Sequence, residues 1–320
     1  MKLSEIYELA VKKGLKEDQR PKKVIEKALK DTKKEYNRLS GIDKSTFDRD
    51  SLKHPFYDTR ILNGSGNEQI KNVLVGIDID VSEVLLAEKL SEKGTKIDLI
   101  ISHHPSGRAY AQLHKVMDIQ SSLWEKYGLT NEVAIGIMKD RIEQVARGVA
   151  PANHARAADA AKLLGIPFMC IHTAADNCVA GFLQKIFDTK KPKKLKNIVS
   201  ILKSLSEYRA AMKMNAGPFL LIGEPDADAG KIFVDMTGGT SGPDKMFARL
   251  SQAGVKTIIG MHCRETGYKM AKSEFMNYVI AGHIASDNLG LNLLLDAVDS
   301  RGSLNFVECS GFRRFRRNKS

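Results

Sequence analysis

Apolar residues along this chain follow two different spacings, and the change from one to the other divides it. Residues 3–15 place Leu3, Ile6, Leu9 and Ala10 at helical spacing. Pro21 stands where a second helix begins, with Ile25, Ala28, Leu29, Tyr36 and Leu39 on one face. This predicts a helical hairpin over 1–52, running into a polar linker over about 40–70 in which Asn63-Gly64-Ser65-Gly66 signals a turn. From residue 72 the pattern changes. NVLVGIDID (72–80) is almost continuously apolar, as a parallel strand covered on both faces should be. A helix follows, with Ser82 as its cap and its end near Gly94.

IDLIIS (97–102) is the next strand, 110–147 reads as mostly helical, and a helix over 153–164 leads into FMCIHT (168–173). Residues 181–215 are helical and lysine-rich. Strands recur at 219–223, 231–236, 256–261 and 277–282, with helices at 243–253 and 266–276 between them and a last helix over 286–299. Strands alternating with helices imply an α/β fold of mixed or parallel sheets with helices on both faces, in two α/β lobes plus the N-terminal hairpin. The expected division is a hairpin (1–52), an α/β domain of 60–180 with 255–310, an inserted smaller α/β lobe (181–254) and a basic tail (311–320).

Three of these strands end alike, with His or Asp after the last apolar residue: IISHHP (100–105), CIHTAADN (170–177) and VIAGHIASDN (279–288). In α/β proteins the C-terminal ends of the strands are where ligands bind. Side chains alternate along a strand, so His103 and His104 converge only because the strand is ending at Pro105; alternatively each holds a different ion of a pair. His283 and Asp287 are four apart at the start of a helix and so share a face, and Asp176 follows its strand within a short loop. Three imidazoles and two carboxylates suffice for two divalent ions with a carboxylate bridge. Mixed N/O ligation suits Zn, Mn, Fe, Co or Ni.

Composition narrows the setting. No apolar stretch approaches the ~18 residues of a membrane span, and the N-terminus is amphipathic, unlike a signal sequence. Cys170, Cys178, Cys263 and Cys309 form no CxxC pair, which suits free thiols in a cytoplasmic protein. The net charge of +12 raises the question of nucleic acid, but GFRRFRRNKS (311–320) and the lysines of 190–196 hold ten of the twelve excess charges. A locally basic surface explains this better than a dedicated groove.

The strand-HHP, HTxxD and GHxxSD elements, in this order, resemble the Nif-three-like dinuclear metal proteins, some members of which are labelled GTP cyclohydrolase I type two. The resemblance covers roughly 70–310, including NHARAADAAKLLGIP before the second element and TGGTSGP (237–243) before the third. It implies a two-domain α/β subunit, homo-oligomers that are often hexamers, and two adjacent metal ions held by His103, His104, Asp176, His283 and Asp287. The family's pattern ends in Glu where this chain has Asp287, one methylene or about 1.5 Å shorter in reach.

Around this set, His172, His262 and Glu265 are candidates for positioning or acid–base roles, each with an ordinary polar strand end as the alternative. Asp78 and Asp80 stand at alternate positions, so at most one faces the site. Gly238-Gly239 with Thr240-Ser241 is either a phosphate-binding turn or a plain tight one, and His154 and Arg156 either meet an anion or form a solvated face. The resulting expectation is a cytoplasmic metal-dependent hydrolase, of cyclohydrolase or phosphoesterase type, acting on a small anionic, phosphate- or nucleotide-like substrate. The alternatives are a non-catalytic metal-binding scaffold or regulatory protein and, less favoured, a nucleic-acid-binding oligomer.

Overall fold

The computed structural model describes residues 1–317; Asn318, Lys319 and Ser320, the end of the expected basic tail, lie outside the described residues. Nine strands form two sheets: β1 (Thr59–Asn63), β2 (Asn72–Gly76), β3 (Leu99–Ser102), β4 (Phe168–Ile171), β5 (Phe219–Ile222), β6 (Lys231–Asp235), β7 (Val255–Gly260), β8 (Asn277–Ile280) and β9 (Asn305–Glu308). The first sheet has the order β1-β4-β3-β2-β9 and the second β5-β8-β7-β6. Each is parallel except for one antiparallel edge strand, β1 in the first and β5 in the second. Every residue of β3 and β4 is buried, as their apolar runs Leu99–Ile101 and Phe168–Ile171 require, with Ser102 the one polar member.

Two long helices, Thr173–Lys190 and His283–Asp299, pack against each other between the sheets. Ala174, Ala175, Cys178, Leu291 and Leu294 join the core of the first sheet, whereas Val179, Leu183, Ala285 and Leu289 join that of the second. Their close approach depends on Gly290, where a Cβ would lie 2.5 Å from the Ala175 carbonyl oxygen. That contact brings the first turns of the two helices together, and the candidate metal ligands sit on those turns.

Several expectations change. The polar linker holds β1, a short charged strand that the Asn63-Gly64 turn terminates, and β9 closes the other edge of the same sheet. The cap of the helix Val81–Glu92 is Asp80, which accepts from Val81 N and forms a capping box with Glu83, in place of Ser82. The stretch 181–215 is three helices, the first beginning at Thr173. The expected division between 254 and 255 runs through the second sheet, because β7 and β8 pair with β6 and β5. In the N-terminal hairpin only the first arm is core: Leu3, Ile6, Tyr7 and Ala10 pack into the first lobe, while the second arm buries Ile25 alone.

The basic tail is docked along the helix His283–Asp299. Phe312 is fully buried, Arg314 pairs with Asp296 at 2.6 Å, and both Glu207 carboxylate oxygens accept from Arg317 at 2.7 Å. Lys194 and Lys196 likewise meet Asp228 and Asp226. These cations are neutralised in place, which removes most of the reason to read them as a polyanion-binding arm. No helix among the described residues is long and apolar enough to cross a membrane.

Candidate metal centre

His103 and His104 follow directly on β3. Their amides donate to Gly76 O and Ile77 O, each at 2.9 Å, so the parallel register continues past the strand and fixes both residues at the sheet's C-terminal edge. His172 stands between β4 and the helix Thr173–Lys190, and Asp176 lies in that helix's first turn, in contrast to the loop expected from sequence. Gly282, at φ +107°, makes the sharp passage from β8 into the helix that carries His283 and Asp287 one turn apart.

These elements bring six side chains together. His103 Nε2 lies 3.3 Å from Asp176 Oδ1 and 3.4 Å from Asp287 Oδ1. Asp287 Oδ2 lies 3.5 Å from His104 Nε2 and 3.6 Å from His283 Nε2. His172 Nε2 is 3.8 Å from Asp176 Oδ2. The two oxygens of Asp287 thus face different histidines, so the shorter side chain still spans the pair. Three overlapping sets could each hold an ion: His103, His104 and His172; His104, His283 and Asp287; His103, Asp176 and Asp287. Within each set the donor atoms lie within 4.8 Å of one another.

The far sides of three imidazoles are tied down. The Nδ1 of His103 donates to Ile171 O at 3.0 Å, that of His104 to Asp78 at 2.6 Å and that of His172 to Asp58 at 2.7 Å. Each ring therefore turns its Nε2 inward, the face that metal-binding histidines present. Inside, His103 Nε2, Asp176 Oδ1 and both oxygens of Asp287 are buried without a hydrogen-bond partner. Buried polar atoms without partners are costly, and four around one point, three of them carboxylate oxygens, suit a cation.

Electrostatics agree. Burial works against a charge on His103, but Asp287 and Asp176 outweigh it and push the imidazole well above its ordinary range. Burial likewise opposes the charge on Asp287, yet His103 and His104 hold it far below the usual carboxylate range. A place that draws a proton in the bare chain is one that could hold a metal ion for the same reason.

A solved structure of a NIF3 superfamily protein from Sphaerobacter thermophilus has a TM-score of 0.69 to this chain at 26% identity, covering 80% of this chain and 92% of that one. The chain is NIF3-like. Two others are reduced HcgD from Methanocaldococcus jannaschii (13% identity, 77% of this chain and 86% of that one, TM-score 0.48) and a Bacillus cereus protein related to NIF3 (10%, 78% and 89%, 0.39). No protein-family model and no curated protein matches the sequence.

Within this NIF3-like chain, one cleft opens on the centre from the second lobe. It is lined by His172, Asp176, His283 and Asp287 on one side and by His262, Arg264 and the loop 237–242 on the other. His262 stacks edge-on to His283 with ring centroids 5.0 Å apart. Glu265 does not join them: it is exposed and pairs with Lys269 at 3.3 Å. His154 and Arg156 line a separate shallow recess behind His104, where Arg156 reaches Asp80 at 3.6 Å. Asp58 was invisible to sequence reasoning, being a single acid in a linker. Asp78 was visible only as one of two alternate acids, and its contact with His104 resolves that choice.

Proposed function

We propose that this chain is a dinuclear metal-dependent hydrolase acting on a phosphate- or nucleotide-like substrate. The observation that carries the reading is the cluster of four buried polar atoms without partners, His103 Nε2, Asp176 Oδ1 and Asp287 Oδ1 and Oδ2, beside an open cleft. His103, His104, Asp176, His283 and Asp287 would hold two divalent ions. His172 is a sixth donor on the same geometry, in place of an acid–base role. The mixed N/O set suits Zn, Mn, Fe, Co or Ni.

When bound, such ions lower the pKa of a coordinated water to near neutrality and polarise the group under attack. The chain's own part is orientation and proton handling. Asp58 and Asp78 hold His172 and His104 in the tautomer that faces inward. Burial and the neighbouring His283 keep His262 below the ordinary imidazole range, so at neutral pH it is uncharged and able to accept a proton in the cleft. Glu265, outside the cleft, is left without a role in the reaction. The assembly we take to be a homo-oligomer and its compartment the cytoplasm, as the resemblance and the four free thiols favour.

Metal analysis of protein purified without chelator tests the reading. Two equivalents per chain are expected, falling in His103→Ala and Asp287→Ala; less than one equivalent in the parent overturns it. Phosphoesters and nucleotides with added Mn, Zn or Co then test for turnover. Two bound ions without turnover on any of them would favour the scaffold alternative.

A further inference from the structure

The loop Thr237–Gly242 forms the wall of the cleft facing the metal centre, and its backbone is held in an unusual way. Its carbonyls are taken from behind. Gln120 donates to Gly238 O at 2.9 Å and to Thr240 O at 2.6 Å, Arg141 Nε to Ser241 O at 2.9 Å and Arg264 to Gly242 O at 2.8 Å. The amides of Gly239, Ser241 and Gly242 have no acceptor among the described residues, and neither does the Ser241 hydroxyl. Gly238 and Gly239 have successive positive φ values of +90° and +86°, and a Cβ at either would strike Gln120 or Val116 within 2.6 Å. The loop is thus fixed with four of its carbonyls taken and three of its amides free.

A second observation points the same way. Burial, with the guanidinium of Arg264 nearby, holds Arg141 below its ordinary range. Only Asp244 offsets the pair, at 3.2 Å from Arg264. The two guanidiniums bring positive charge up behind the stretch of backbone whose amides are unused, with Asp244 beside Arg264. Asp235, at the end of β6, lines the same cleft without a cation partner. Burial pushes its carboxyl up to about 6, and an anion arriving nearby drives it further towards the neutral acid.

We infer that Thr237–Gly242, backed by Arg141 and Arg264, is the seat for an oxyanion group of the substrate, a phosphate or a carboxylate. This rests on the reading of the cleft as a substrate site. It adds that the anion is gripped by the protein across the cleft from the metals, so it serves as a handle, and the bond that reacts lies elsewhere in the substrate.

Calorimetric titration of inorganic phosphate into chelator-stripped protein, with acetate in parallel, tests the seat apart from the metals. One saturable site is expected, weakened at least ten-fold in Arg264→Gln and about three-fold in Ser241→Ala, and unchanged in His104→Ala. Tighter phosphate than acetate assigns the seat to phosphate groups, and the reverse to carboxylates. Because Arg264 also braces the loop, Ser241→Ala at an unchanged melting temperature is the control for folding. Absence of binding by either anion, or equal binding by the parent and both loop variants, overturns the seat. Metal content is read separately, so a failed metal reading stays distinguishable.

Discussion

Asp58 accepts the Nδ1–H of His172 at 2.7 Å across 114 residues of chain. The carboxylate is fully buried and also accepts from Thr173 Oγ1 at 2.6 Å and Thr173 N at 3.3 Å. Burial opposes its charge, but His172 and Thr173 outweigh that and hold it below the usual carboxylate range. A residue just ahead of the edge strand β1 thereby decides which way an imidazole on another element points.

Asp58→Asn should leave the fold intact and lower metal affinity by about 10–100-fold, the usual effect of removing the carboxylate behind a ligand histidine. Competition against a chromophoric chelator measures this. An unchanged affinity would mean that His172 does not bind metal.

Asp287→Glu, which restores the residue type of the resembled pattern, should not help. Asp287 is 1% exposed and already faces His103 with one oxygen and His104 with the other. An added methylene overpacks the gap between the two helices at a cost of about 1–3 kcal/mol. Thermal melting together with metal content checks this, and a Glu variant of higher melting temperature and full metal content would refute it.

His54 sets an acid limit on stability. Phe56 N donates to its Nδ1 at 3.3 Å, and its Nε2–H faces Tyr7 Oη at 2.8 Å, whose own proton goes to Thr59 O. Both ring nitrogens are occupied, and burial with Arg60 nearby lowers its pKa from 6.5 to about 3. Between those values the unfolded chain binds a proton that the folded chain refuses. Stability is therefore full above pH 6.5 and falls as pH drops through that window. Urea melts at pH 7 and pH 4.5 should differ by less in His54→Gln than in the parent; an equal difference would exclude His54 as the cause.

Arg317→Ala removes the guanidinium from Glu207, whose side chain is fully buried and keeps only Asn292 as a donor. Stranding a buried charge costs about 3–5 kcal/mol. Arg317 itself is 27% exposed, so solvent moderates the loss to about 2 kcal/mol. Chemical denaturation reads this directly. Glu207→Gln in the same background should recover part of the loss, which a purely steric role for Arg317 would not allow.

The helices and buried strands were legible because their apolar spacing reflects burial on known faces. The strand-end histidines were legible because chemistry in such folds gathers there. β1 and β9 escaped notice: each is a short edge strand with polar residues, and pairing with a distant partner sets it more than its own sequence does. Asp58 escaped for the same reason, since its partner is set by the β1–β4 register. The division at 254/255 cuts the second sheet because an apolar run shows that a strand exists but not which sheet it joins. The arginines of the tail look like surplus charge in the sequence because the acids they meet, Glu207, Asp296 and Asp299, are brought to them only when the chain turns back along the helix His283–Asp299.

The placement of β9 beside β2 has a consequence for how the chain is made. Asn305 donates to Asn72 across 233 residues, so the sheet bearing His103, His104 and His172 acquires its outer strand only when the last part of the chain has been synthesised. The helix with His283 and Asp287 also emerges late. A nascent chain therefore carries His103, His104 and His172 long before Asp287 appears, and the full set of candidate donors is assembled only when the last part of the chain has been made.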